Sequence, residues 1–244
     1  MRRGVGPDTL AVLGAILLAG LTGLLGGCVT RQVAPPVARW VPSSLIGRPF
    51  DVIAAQSRLI VRVYRAGPLA ALGHNHVIAC RCLAGTIYLP RDPLHASFDL
   101  RFAVAQLTVD DPALRAAEHG PDFPPDVTAS ARQGTRHNML GAAVLNVAKY
   151  PDIALRSAGF RPSPDGKRAD FVGEVLVRLD GEWHAVAVPV RYEIRDDEIV
   201  ATGEFPLRQT DLGLTPFSAL GGGLQVRDGM EVWLRLVARR RRHS

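Results

Sequence analysis

Residues 171–194 read FVGEVLVRLDGEWHAVAVPVRYEI, and the periodicity of this stretch decides the fold class. Phe171, Gly173, Val175, Val177 and Leu179 fall on one face, with Glu174 and Arg178 on the other. A period of two is that of a half-buried β-strand. Asp180-Gly181 follows, a dipeptide suited to the positive φ angles of a two-residue hairpin turn. Beyond it His184, Val186, Val188, Val190, Tyr192 and Ile194 share one side, and Arg191, Glu193 and Arg195 the other. The stretch predicts two antiparallel strands with a common apolar face.

The same pattern recurs on both sides. Leu59, Val61 and Val63 alternate with Arg58 and Arg62, and Ala96, Phe98, Leu100, Phe102 and Val104 with Ser97, Asp99 and Arg101. Asp196-Asp197 turns the chain into Ile199–Phe205, and the last strand sets Met230, Val232, Leu234 and Leu236 against Glu231 and Arg235. With 76–89 and 152–160 this makes about eight strands in consecutive antiparallel order. From Pro112 to Val147 the alternation stops, and the segment predicts one or two helices between the third and fourth strands. The second helix is expected at about 126–143, after Pro124-Pro125. Eight antiparallel strands without a long helical half imply an all-β chain closed into a single barrel. Such a barrel is either filled by its own side chains or holds one small ligand.

The N-terminus has the layout of an export signal: Arg2 and Arg3, an uncharged apolar run from Leu10 to Leu25, then Gly26-Gly27-Cys28. Leu25–Cys28 resembles a bacterial lipobox, so residues 1–27 are expected to be a signal peptide and Cys28 to be lipidated. An uncleaved anchor or a plain secretory signal are the other readings, and all three place the folded part outside the cytoplasm. Val29 after the cysteine, rather than Asp, suits an outer-membrane lipoprotein facing the periplasm, by the Gram-negative sorting rule. Residues 28–53, with Pro35-Pro36, Pro42 and Pro49, read as a tether, and 54–238 as the barrel domain. Arg239–Arg242 begin a basic tail, 239–244, expected to be a solvated end.

The formal charge of +6 comes almost wholly from arginine, since Lys149 and Lys167 are the only lysines. No aromatic residues interleave with a basic stretch, so no nucleic-acid partner is expected. Cys80 and Cys82, two apart on one strand, would be held near the upper Cα limit for a bridge, and no disulfide is expected between them.

One segment resembles a known family. Leu145-Asn146-Val147-Ala148-Lys149-Tyr150-Pro151, followed by Ile153–Ser157, resembles the LN-x-x-KYP signature of the YceI-like family. Gly85-Thr86-Ile87 is similar to that family's F-x-G-x-I region, and 175–190 to its L-x-L-x-G-x-x-x-P-V pair. The resemblance covers roughly residues 54–238. It departs at Arg136-His137-Asn138-Met139-Leu140, where the family's R-D-x-H-L run keeps an acid. It implies an exported, lipocalin-like barrel around an elongated apolar ligand such as a polyprenyl chain or quinone.

The residues expected to line that pocket are Phe98, Leu100, Phe102, Val186, Val188, Val190, Tyr192, Val232 and Leu234. The alternative is that they pack a dry core and the loops bind a partner. Gly73-His74-Asn75-His76 is the most chemical-looking loop. His74 and His76 are candidates for contact with a ligand headgroup, or for metal or haem ligation with help from elsewhere. A structural turn is the plainer reading. No Gly-x-Ser-x-Gly, His-Glu-x-x-His or phosphate-binding glycine loop is present, so the expected function is binding rather than catalysis.

Overall fold

The structure is a computed structural model and describes residues 45–242. The strands in chain order are β1 (Arg48–Val52), β2 (Arg58–Ala66), β3 (His76–Cys80), β4 (Ala84–Leu89), β5 (Ser97–Ala103) and β6 (Thr108–Val109). Two helices follow, α1 (Pro112–Ala116) and α2 (Ala129–Leu140). Then come β7 (Asp152–Pro162), β8 (Phe171–Leu179), β9 (Glu182–Arg195), β10 (Glu198–Arg208), the short β11 (Ser218–Ala219) and β12 (Leu224–Arg240).

Antiparallel pairing runs β1-β4-β5-β7-β8-β9-β10-β12, and β12 pairs back onto β1, so the sheet closes. β2 follows β1 along the same edge of β12, at Gln225–Arg235, while β1 takes Ala238–Arg240. β3 pairs β2 as β4 pairs β1, and β6 pairs β3 as β5 pairs β4. The first three lines of chain are therefore each broken once, and counting each line as one gives the predicted eight strands. α1 and α2 lie between the third and the fourth, as expected. α2 is shorter than predicted and starts later, where Thr128 caps it: Thr128 Oγ1 accepts from the Ala131 N–H at 3.2 Å.

The breaks are satisfied locally. Between β1 and β2, the buried Ser57 hydroxyl accepts from Val237 N–H at 3.0 Å and donates to Val237 C=O at 3.3 Å, replacing ladder bonds. Between β3 and β4 the chain bends at Arg81, and Cys80 and Cys82 are joined by a disulfide. This corrects the expectation from sequence. The two residues do not continue one extended strand, and the bend leaves their Cα atoms 5.3 Å apart, inside the usual range for a bridge. Between β5 and β6, Val104 N–H donates to Pro151 C=O at 2.8 Å.

Two boundaries also change. The segment expected as tether ends in β1, where Phe50 is wholly buried and pairs with both Arg240 and Ile87. Five residues containing a proline are too short to show a period, so this strand is set by its partners. The segment expected as a solvated basic tail contributes Arg239 and Arg240 to β12. Ion pairs hold it down: Arg239–Glu198, Arg240–Asp197, Arg241–Asp51 and Arg242–Asp197. The expected signal peptide, Cys28 and most of the tether lie outside the described residues.

The outer face is charged, as in the Asp99–Arg156 pair at 3.0 Å, and the inner face is apolar. This is the inverse of a membrane-spanning barrel, which turns its apolar band outward. One apolar patch does face out: Ile60, Val77 and Ala79. The chain between the two helices covers it with Phe123, and Leu114 packs beside it.

Candidate functional site

Inward-facing residues meet across the strands in register: Leu100 with Leu155, Val175 with Val186, Gly173 with Val188, Phe171 with Val190, and Phe205 with Val232. They enclose a cavity of about 360 Å³, within the size range of small-molecule sites. All nine residues named from the sequence, Phe98, Leu100, Phe102, Val186, Val188, Val190, Tyr192, Val232 and Leu234, border it. Its polar neighbours are few: Arg58, Gln209, Arg235 and the Tyr192 phenol.

One end of the barrel is aromatic and open. Phe171 stacks on Tyr192 with centroids 4.9 Å apart, and Phe98 meets Phe160 edge-on at 6.3 Å. Ile194, beside them on the cavity wall, is 39% exposed. Phe160 reaches this position through a register shift in β7 between Ser157 and Gly159, which re-aims the strand. Gly173 opposite makes room, since a Cβ there would lie 2.9 Å from Phe160 Cε1. Strict alternation puts Gly159 inward and Phe160 outward, so the sequence reading missed Phe160.

The other end is closed by residues from outside the strands. Met139 of α2, Val144 and Leu145 come from one side, and Leu212 and Leu214 from the turn after β10. The segment that carries the family resemblance builds this floor. Leu145 N–H donates to Met139 C=O and Val147 N–H to Leu140 C=O, both at 3.1 Å, so the chain folds back over the end of α2. Asn146 takes a left-handed φ of 42°, and Tyr150 packs on Gly181 of the β8–β9 turn. These floor residues have no period; the motif at 145–151 was the available signal.

His74 and His76, the loop candidates for a ligand headgroup or a metal, are not among the residues that border the cavity. The His76 ring is held between two other groups: Nδ1 lies 2.6 Å from Asp110 Oδ2, and Nε2 lies 3.2 Å from Thr135 Oγ1 on α2. Asp110 Oδ1 accepts from Val77 N–H at 2.9 Å and from Arg115 Nη1 at 2.7 Å. Arg115 also donates to the carbonyls of Asn75 and Pro124. Burial pushes the Asp110 carboxyl up, but the His76 ring, the Val77 N–H and the Arg115 charge together hold it below the usual carboxylate value. Both His76 nitrogens are thus engaged in hydrogen bonds. Among the described residues no group of three or more His, Cys, Asp or Glu is placed to hold a metal ion. The network ties β3 to α2 and to the segment bearing α1.

A closed eight-stranded barrel, charged outside and apolar around an open-ended cavity, defines a lipocalin-like barrel. Solved structures share the architecture. The chain superimposes on BcnA of Burkholderia cenocepacia with a TM-score of 0.53 at 14% identity, covering 77% of this chain and 99% of that one. This likeness shows the fold. Weaker superpositions are found on a polyisoprenoid binding domain from Saccharophagus degradans (TM-score 0.47, 8% identity, 79% and 98% covered) and on the Campylobacter jejuni YCEI protein (0.44, 10%, 66% and 82%). No protein-family model matches the chain, and no curated protein does.

Proposed function

We propose that the chain is a YceI-like, non-enzymatic envelope lipoprotein that holds an elongated, isoprenoid-like molecule, a polyprenyl chain or a quinone, inside the barrel. One observation carries this reading: the cavity of about 360 Å³ is walled almost entirely by aliphatic and aromatic side chains and opens through an aromatic rim. Each buried methylene of a ligand is worth about 0.8 kcal/mol, so about fifteen enclosed carbons supply about 12 kcal/mol. That is of the same order as the roughly 4–15 kcal/mol lost when two molecules associate. The signal-like residues 1–27 and the lipobox-like Leu25–Cys28 support an envelope location, with the membrane as partner through lipid on Cys28. The likeness of 145–151 to the YceI signature supports the ligand class, and a solved barrel described as a polyisoprenoid binding domain is consistent with it.

Native mass spectrometry of the full chain, purified from an envelope-containing host, tests the reading. An apolar mass that co-purifies and is released by organic solvent supports it and identifies the ligand class. A clean apo mass, together with failure to take up added polyprenols or quinones, overturns it.

A further inference from the structure

The Cys80–Cys82 disulfide closes a loop of one intervening residue, Arg81. A bridge constrains the unfolded chain less the shorter the loop it closes, so this one adds little stability. Its two ends differ. Cys80 is the last residue of β3 and is 1% exposed, whereas Cys82 stands half-buried in the bend beside the exposed Arg81. The Cys82 N–H already points at Cys80 Sγ, 3.1 Å away. Cys82 packs against the core around the cavity, and the next residue, Leu83, borders the cavity itself.

From this asymmetry we infer that Cys80–Cys82 is a thiol–disulfide exchange site, attacked at Cys82 by a thiol. The thiolate bonds to Cys82 Sγ, the Sγ–Sγ bond breaks, and its electron pair leaves on Cys80 Sγ. There the Cys82 N–H is in place to donate to the new thiolate, and the Arg81 guanidinium favours the approach of an anionic attacker. A second thiol molecule then takes up Cys82's partner as a disulfide, so two thiols are oxidised as the protein gains two, each with its proton. Run backward, the same steps reduce a disulfide partner as the Cys80–Cys82 bridge re-forms. The joint between β3 and β4 is then held by the ladder alone, next to Leu83 on the cavity wall.

The full-length oxidised chain is incubated near neutral pH with reduced glutathione, trapped with N-ethylmaleimide, and mapped by peptide mass, which reads Cys28 separately. The expected product carries glutathione on Cys82 and maleimide on Cys80, in about tenfold excess over the reverse, with the far-UV circular dichroism unchanged. In Cys80→Ser the remaining Cys82 thiol reacts with glutathione disulfide about tenfold faster than the Cys80 thiol does in Cys82→Ser. A bridge that stays closed while the protein is folded, one that opens only with loss of the native spectrum, or equal reactivity of the two cysteines overturns the proposal.

Discussion

His76 and Asp110 sit 34 positions apart in the chain, yet Nδ1 of one lies 2.6 Å from Oδ2 of the other, in a network outside the cavity. The pair, with Arg115 on the far oxygen of Asp110, fastens the inserted helices to the first strands of the barrel.

Removing the Asp110 carboxylate leaves the wholly buried Arg115 guanidinium without its counter-charge. Breaking a buried ion pair from one side costs about 3–5 kcal/mol, so Asp110→Ala is expected to lower the urea midpoint accordingly. Asp110→Asn, which tolerates the left-handed φ of 50° at this position, tests the charge alone. The folded pKa of Asp110 is depressed, so its contribution is complete above the unfolded value of about 4 and is lost as pH falls through the lower folded value. The wild-type midpoint is expected to drop on that acid limb by more than that of Asp110→Asn. Equal slopes for the two proteins would refute the assignment.

Val188 faces the cavity from the middle of β9, opposite Gly173. A Val188→Glu substitution puts a charge among apolar walls, and co-purification of an apolar ligand is expected to cease. His74→Ala, outside the cavity wall, leaves the bound mass unchanged. Circular dichroism of Val188→Glu establishes that the barrel is intact; an intact barrel that keeps its ligand would put the binding site elsewhere.

Leu145 closes the floor and is 9% exposed. Leu145→Ala deepens the cavity at a cost of about 2–5 kcal/mol, read as a lowered Tm. If the proposed function holds, the same variant accepts a longer apolar chain than the wild type, as a shift in the co-purifying mass distribution would show.

Ending the chain after Ala238 removes the pairings Phe50–Arg240 and Asp51–Arg239 and the ion pair of Arg241 with Asp51. The amides of β1 are then expected to lose protection in hydrogen exchange, while those of β8 and β9 keep it. Unchanged protection at Phe50 would mean that β4 alone holds β1.

The alternation in 171–194 determined two strands, their hairpin and the inward face, because side-chain direction along a strand is a local property of the backbone. The Asp180-Gly181 turn was equally legible, with φ of 52° and 85° in the structure. The same local rule identified eight strands, the insertion between the third and fourth, and nine residues that border the cavity. Only the tertiary structure decided where the lines of chain break, because the groups that satisfy the breaks are distant in sequence, as Ser57 is from Val237. It also decided that the β7 register shift turns Phe160 inward, that Leu145 and Leu212 rather than strand residues make the floor, and that His76 is claimed by Asp110 and Thr135. A period of two carries no information about bulges, bends or irregular loops, so these were set by packing and by the need to pair buried polar groups.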